Sequence, residues 1–161
     1  PYLLKAVFDS KGEPFTKIEV GKGELLCKGV DVAILSIGPI GNRVSKAIEM
    51  LKDDGYSPTH YNMRFLKPID EEILHKVCQE YKAVVTVEDG SVIGGLKSAV
   101  AEFMADNDYD LKFASFGIPD KFIEQASQDE QYDICGYNTS NIYIGVKEIF
   151  DSLITKEKKR Q

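Results

Sequence analysis

The residue types capable of chemistry are few and widely spaced. Glu88-Asp89-Gly90 follows an apolar run, so it places two carboxylates just past a strand, where open α/β sheets hold ligands. Such a pair could serve as acid and base or bind a metal; with no histidine or third acid patterned beside it, capping of the loop is the plainer role. Gly38-Pro-Ile-Gly-Asn42 is a strand-to-helix turn whose backbone N–H groups suit an anion, which makes Gly38, Gly41 and Asn42 anion-site candidates, set against an ordinary turn. The turn lacks the full G-x-G-x-x-G pattern and the P-loop lysine. His60 and His75 stand in no metal-ligand spacing, and the serines form no G-x-S-x-G elbow. Cys27, Cys78 and Cys135 form no C-x-x-C pair, and Cys78 and Cys135 fall on apolar helical faces as packing residues. The sequence displays no complete catalytic constellation.

A different pattern stands at "NMRFLKPIDEEILHKV" (62–77), where a polar/apolar alternation meets a proline and then three carboxylates. Pro68 holds Lys67 extended, Asp70 caps the following helix, and Glu71 and Glu72 occupy its first turn, where the dipole favours acids. Arg64 is left over. It reads as a surface ion pair or as a residue that fixes a neighbouring domain or subunit.

These residues need a sheet and helices to position them. "DVAILSIG" (31–38) is a continuous apolar run, expected of a strand covered on both faces. Val44, Ala47, Ile48 and Leu51 then recur at helical spacing up to Gly55. "THYNMRF" (59–65) alternates Tyr61, Met63 and Phe65 against His60, Asn62 and Arg64, a strand with one polar face fit to line a cleft or an interface. Ile73, Leu74, Val77, Cys78 and Tyr81 mark a second helix, "AVVTVE" (83–88) a strand, Leu96 to Met104 a third helix, "LKFASF" (111–116) a strand, and Ile142 to Leu153 a final helix. Strands separated by helices predict βαβ crossovers and a three-layer α/β/α sandwich on a mostly parallel sheet of about five strands, with Glu24–Cys27 as a short antiparallel edge strand. Residues 1–23 read as an arm or interdomain linker, 24–154 as the domain and 155–161 as a charged tail.

The chain has 161 residues, enough for one domain, and a net charge of −6. That balance offers no general attraction for nucleic acid or anionic lipid, and no apolar run reaches the ~18 residues of a membrane span. An odd number of distant cysteines points to a reducing, cytoplasmic compartment. Pro1 in place of a methionine suggests a piece of something longer.

Taken together, "GKGELLCKGVDVAILSIGPIG" (21–41), "MRFLKPIDEEIL" (63–74), "VVTVEDGSVIGGLKSAVAEF" (84–103) and "GIPDKFIEQASQDEQYDICG" (117–136) resemble the C-terminal domain of transketolase-like thiamine diphosphate enzymes, within them the 1-deoxy-D-xylulose-5-phosphate synthases. The resemblance implies a third domain of a transferase that is inactive alone. Thiamine diphosphate and Mg2+ would lie between two preceding domains, and the enzyme would act as a homodimer. It makes Arg64, Lys67, Asp70, Glu88 and Lys97 candidates for domain or dimer contacts, with no catalytic, cofactor or metal residue in this chain. Two departures stand out: Lys97 where the family has glycine in Gly94-Gly-Leu-Lys-Ser98, and Ala126 where it favours glycine. The last domain of a 2-oxoacid dehydrogenase beta chain, or a free-standing regulatory module, are the competing readings.

Overall fold

The computed structural model describes residues 17–158. Phe15 and most of the expected arm lie outside the described residues. Five strands form one sheet: β1 (Glu24–Cys27), β2 (Val32–Ile37), β3 (Thr59–Asn62), β4 (Ala83–Ser91) and β5 (Lys112–Ile118), in the order β1-β3-β2-β4-β5. β2, β3, β4 and β5 run parallel, and β1 pairs antiparallel with β3, Glu24 opposite Asn62. Helices α1 (Gly41–Asp53), α2 (Glu71–Glu80) and α3 (Leu96–Asp106) make the crossovers, followed by α4 (Gln128–Cys135) and α5 (Thr139–Lys158).

The alternation of side chains along the buried strands divides the core in two. Val32 and Ile34 of β2 and Ala83, Val85 and Val87 of β4 face Val44, Ala47 and Leu51 of α1, Tyr132 of α4 and Ile142, Val146 and Phe150 of α5. Ala33, Leu35 and Val84 point the other way, onto Leu74 and Val77 of α2 and Leu96, Val100 and Phe103 of α3. The three layers expected of βαβ crossovers follow from this two-residue period, each fully buried aliphatic contributing roughly 1.5–3 kcal/mol.

Several boundaries differ from the sequence reading: β4 runs on to Ser91, so that Asp89 and Gly90, expected just past the strand, lie inside it, and β5 runs on to Ile118. β3 stops at Asn62, because the Asn62 side chain accepts the Arg64 N–H at 3.1 Å and Arg64 turns into the left-handed region at φ 57°. The polar/apolar alternation continues through this turn without being strand. α4 is an additional helix, opened by a reciprocal capping box between Ser127 and Glu130. α5 continues to Lys158, into the segment read as tail. His60, expected on a polar face fit to line a cleft or an interface, is only 1% exposed. The α1 layer covers that face, with Gly41 packed closely enough that a Cβ would lie 2.9 Å from Ser36 Oγ and 3.9 Å from His60 Cε1.

Candidate functional site at the carboxyl edge of the sheet

From β2 the chain passes to β3 on one side and then to β4 on the other, so the topological switch lies where β2 and β4 end. Ile37 is paired with Glu88 across this point, and the two sequence candidates, the Gly38–Asn42 turn and the Glu88–Gly90 stretch, flank it. In an open α/β sheet this is the crevice in which ligands sit.

The crevice is closed from within. Glu88 is 5% exposed, and its carboxylate accepts the N–H of Leu96 at 2.8 Å and of Lys97 at 2.9 Å. It supplies the charge and the acceptors that the first turn of α3 requires, since Gly95 at the N-cap has no side chain to do so. Close backbone approach makes room for it. A Cβ on Gly95 would stand 1.9 Å from Glu88 Oε2, and one on Gly117 3.1 Å from Glu88 Cγ. The opposite wall offers no substitute anion site: Gly41 N–H donates to the Gly38 carbonyl, Asn42 N–H to Pro39 and Arg43 N–H to Ile40, at 3.1, 3.0 and 2.9 Å. Of the amides on which the anion expectation for Gly38, Gly41 and Asn42 rested, those of Gly41 and Asn42 are spent inside the turn.

Asp89 faces elsewhere. Its two oxygens accept hydrogen bonds from Tyr132 at 2.8 Å and Tyr137 at 3.0 Å, tying the loop to α4 and to the α4–α5 connection. Burial first, then the Asp89 hydrogen bond, raises the pKa of both phenols, so each remains a protonated donor at neutral pH. The Arg43 guanidinium lies 4.4 Å from the Tyr132 ring centroid and is paired with Asp129. A cavity of about 130 Å³ opens beside this group, lined by residues including Asp89, Tyr132, Cys135 and Tyr137.

At the other end of the same edge, the chain arriving at β1 is pinned to the junction before α2. Asp70 is 4% exposed; one oxygen accepts the Gly23 N–H at 2.9 Å and the other caps α2 through Ile73 N–H at 3.2 Å. Pro68 stands so close to Gly21 (φ 76°) that a Cβ there would fall 2.9 Å from Pro68 Cγ. Lys22 pairs with Glu72 at 2.7 Å, and Arg64 pairs with Glu24 of β1. Lys67 is exposed and Lys97 half-buried. Of the five contact candidates, Asp70 and Glu88 are thus spent on internal capping, and Arg64 on an ion pair within the domain.

His60 donates to or accepts from Ser36 Oγ through Nε2 at 2.8 Å, and burial lowers its pKa to about 4. His75 meets the Tyr109 hydroxyl at 2.9 Å beside Phe103, at the boundary of the core as its position next to the apolar stripe predicted. Cys78 is buried, which raises its thiol pKa, and Cys135 is half-buried. Among the described residues no group of histidine, cysteine and acid side chains could hold a metal ion, and no helix is long and apolar enough to cross a membrane.

The structure is a mostly parallel α/β sandwich whose switch-point crevice is filled by the Glu88 capping carboxylate. Residues 21–142 match the family model described as transketolase, C-terminal domain, and the chain belongs to that family. Two curated relatives are both named 1-deoxy-D-xylulose-5-phosphate synthase: one from Cytophaga hutchinsonii, 48% identical over 136 residues, and one from Parabacteroides distasonis, 51% identical over 125. They cover 84% and 78% of this chain, which spans only 21% and 20% of their lengths. A solved structure titled split gene transketolase, inactive beta4 tetramer, superposes with a TM-score of 0.77 at 32% identity, covering 88% of this chain and 45% of that one.

Proposed function

We propose that the chain is the C-terminal domain of a thiamine diphosphate-dependent 1-deoxy-D-xylulose-5-phosphate synthase, which condenses pyruvate with glyceraldehyde 3-phosphate with loss of CO2. On this reading it works in assembly, within a cytoplasmic homodimer, and is inactive by itself. The observation that carries the reading is the Glu88 carboxylate seated on α3. It occupies the N-terminus of α3, the helix that follows β4 at the switch point, where a diphosphate would otherwise find free amides. The residues present therefore do not fit thiamine diphosphate or Mg2+, which we assign to the preceding domains, and no catalytic step is drawn through this chain. The free state of the cysteines among the described residues agrees with a reducing compartment.

Within this role Asp70, Glu88 and the Arg64–Glu24 pair shape the carboxyl edge from inside, whereas Lys67 and Lys97 put cations along it for the adjoining domain or subunit. The boundary at 23 follows the same logic, the arriving segment serving as linker, while the domain runs on through α5 to Lys158. The test is synthesis of 1-deoxyxylulose 5-phosphate by the complete polypeptide and by the 161-residue chain, each supplied with both substrates, thiamine diphosphate and Mg2+. Activity in the first alone is expected; a complete gene product with no upstream domains, or none of this activity, refutes the proposal.

A further inference from the structure

The carboxyl edge carries an uncovered apolar surface besides its cations. β2, β3, β4 and β5 all end there, and because β1 is antiparallel the polypeptide also arrives there, at Gly23 and Glu24. On the β5 side of that edge Phe122 exposes its whole ring, at 106%, and Ile93 is 61% exposed. Ser91, just before Ile93, pairs with Ile118, and the Val92 N–H donates to the Ile118 carbonyl at 3.0 Å, so the two loops are joined at their base. An open cleft of about 380 Å³ lies between Ser91 and the 118–122 segment, with Pro119 in its wall and Asp120 and Lys121 at its rim. An aromatic anchor beside a cleft with a polar rim is the anatomy of a binding hot spot.

We propose that Phe122, Ile93 and this cleft are the seat of the folded region that precedes residue 17 in the longer polypeptide. The inference rests on the assembly role above and names its contact surface. Two observations select that occupant. The chain spans about a fifth of its curated relatives, so most of such a protein lies outside it. The arriving segment and the Phe122 patch share one edge and are separated by four strand spacings, ~19 Å, a span that one face of an ordinary domain covers. A region tethered at one end of this edge meets the other at high effective concentration.

Hydroxyl-radical footprinting read by mass spectrometry tests this on the complete polypeptide and on the 161-residue chain. Oxidation of Phe122 and Ile93 is expected to slow by about fivefold or more in the complete polypeptide, as water is excluded from the seat, while Ile134 of α4 and Ile144 of α5 react equally in both. Phe122→Ser in the complete polypeptide should restore the reactivity of Ile93. Equal labelling of Phe122 in both forms overturns the proposal, as does protection in the 161-residue chain that vanishes on dilution, which would assign the patch to a second copy. Synthase activity measured on the same sample separates the two failures. An active synthase with an unprotected Phe122 sinks the docking alone; a protected Phe122 in an inactive polypeptide sinks the catalytic reading alone.

Discussion

Acidification should destabilise the chain through His60. In the folded state burial holds the imidazole neutral with a pKa of about 4, against 6.5 in an open chain. Between these values the unfolded state binds the extra proton, so stability is fully present above pH 6.5 and is lost as pH falls toward 4. A separation of two to three units, at about 1.4 kcal/mol each, gives roughly 3 kcal/mol in total, most of which is gone by pH 4.5. Other carboxylates change with pH as well, so the comparison is with His60→Asn, which cannot titrate and keeps a polar group toward Ser36. Urea unfolding at pH 7.5, 5.5 and 4.5 should show the wild-type advantage over the variant shrinking by roughly 2–3 kcal/mol across the range. An advantage that stays constant within about 0.5 kcal/mol would show that His60 titrates alike in both states and would refute the burial argument.

Glu88→Ala should cost ~2–4 kcal/mol, because it removes a charged acceptor and strands the Leu96 and Lys97 amides; chemical denaturation measures it, and a loss under about 1 kcal/mol would contradict the capping role. Gly95→Ala should destabilise comparably, since its Cβ would stand 1.9 Å from Glu88 Oε2 and 2.6 Å from the Ser91 carbonyl oxygen; the double variant Gly95→Ala/Glu88→Ala relieves only the first clash and should be less than additive by the same assay. Asp70→Ala should cost ~1–3 kcal/mol through the lost α2 cap and raise amide exchange at Gly23, whereas Arg64→Ala, which breaks a partly exposed pair, should cost under about 1 kcal/mol.

Much of the frame is legible in the sequence, and the exceptions share a cause. β2 and α1 follow from local periodicity, because their burial is decided within a few residues of chain. α4 was missed, because its stretch is too polar for the apolar pattern to reveal; the signal that could have found it is the capping-box spacing Ser127-x-x-Glu130. The end of β3 was hidden, since a turn made by the Asn62 side chain leaves the alternation of Met63 and Phe65 undisturbed. His60 escaped for a non-local reason: α1 and the Ser36 hydroxyl cover it, and neither is visible from its own strand. The site follows the same division. Capping by Asp70 is a three-residue relationship and could be read directly. Glu88 bonds across eight and nine residues, and Asp89 meets tyrosines 43 and 48 positions away, distances at which spacing alone carries no information.

The seated Glu88 also bears on how such domains arise and diverge. A sheet of this topology has a receptor for anions built into its backbone, because two amides and the positive end of an eleven-residue helix converge at the switch point whatever side chains surround them. Here one side chain neutralises that receptor, and glycines at 95 and 117 leave it the space. The scaffolding state and the anion-receiving state of the fold are thereby separated by one side chain rather than by a rebuilt loop. Shortening residue 88 to serine or glycine would uncover both donors and leave the strand and the helix that frame them. A supporting domain of this kind stands one codon from an anion receptor, and its acid is a plug that selection can pull.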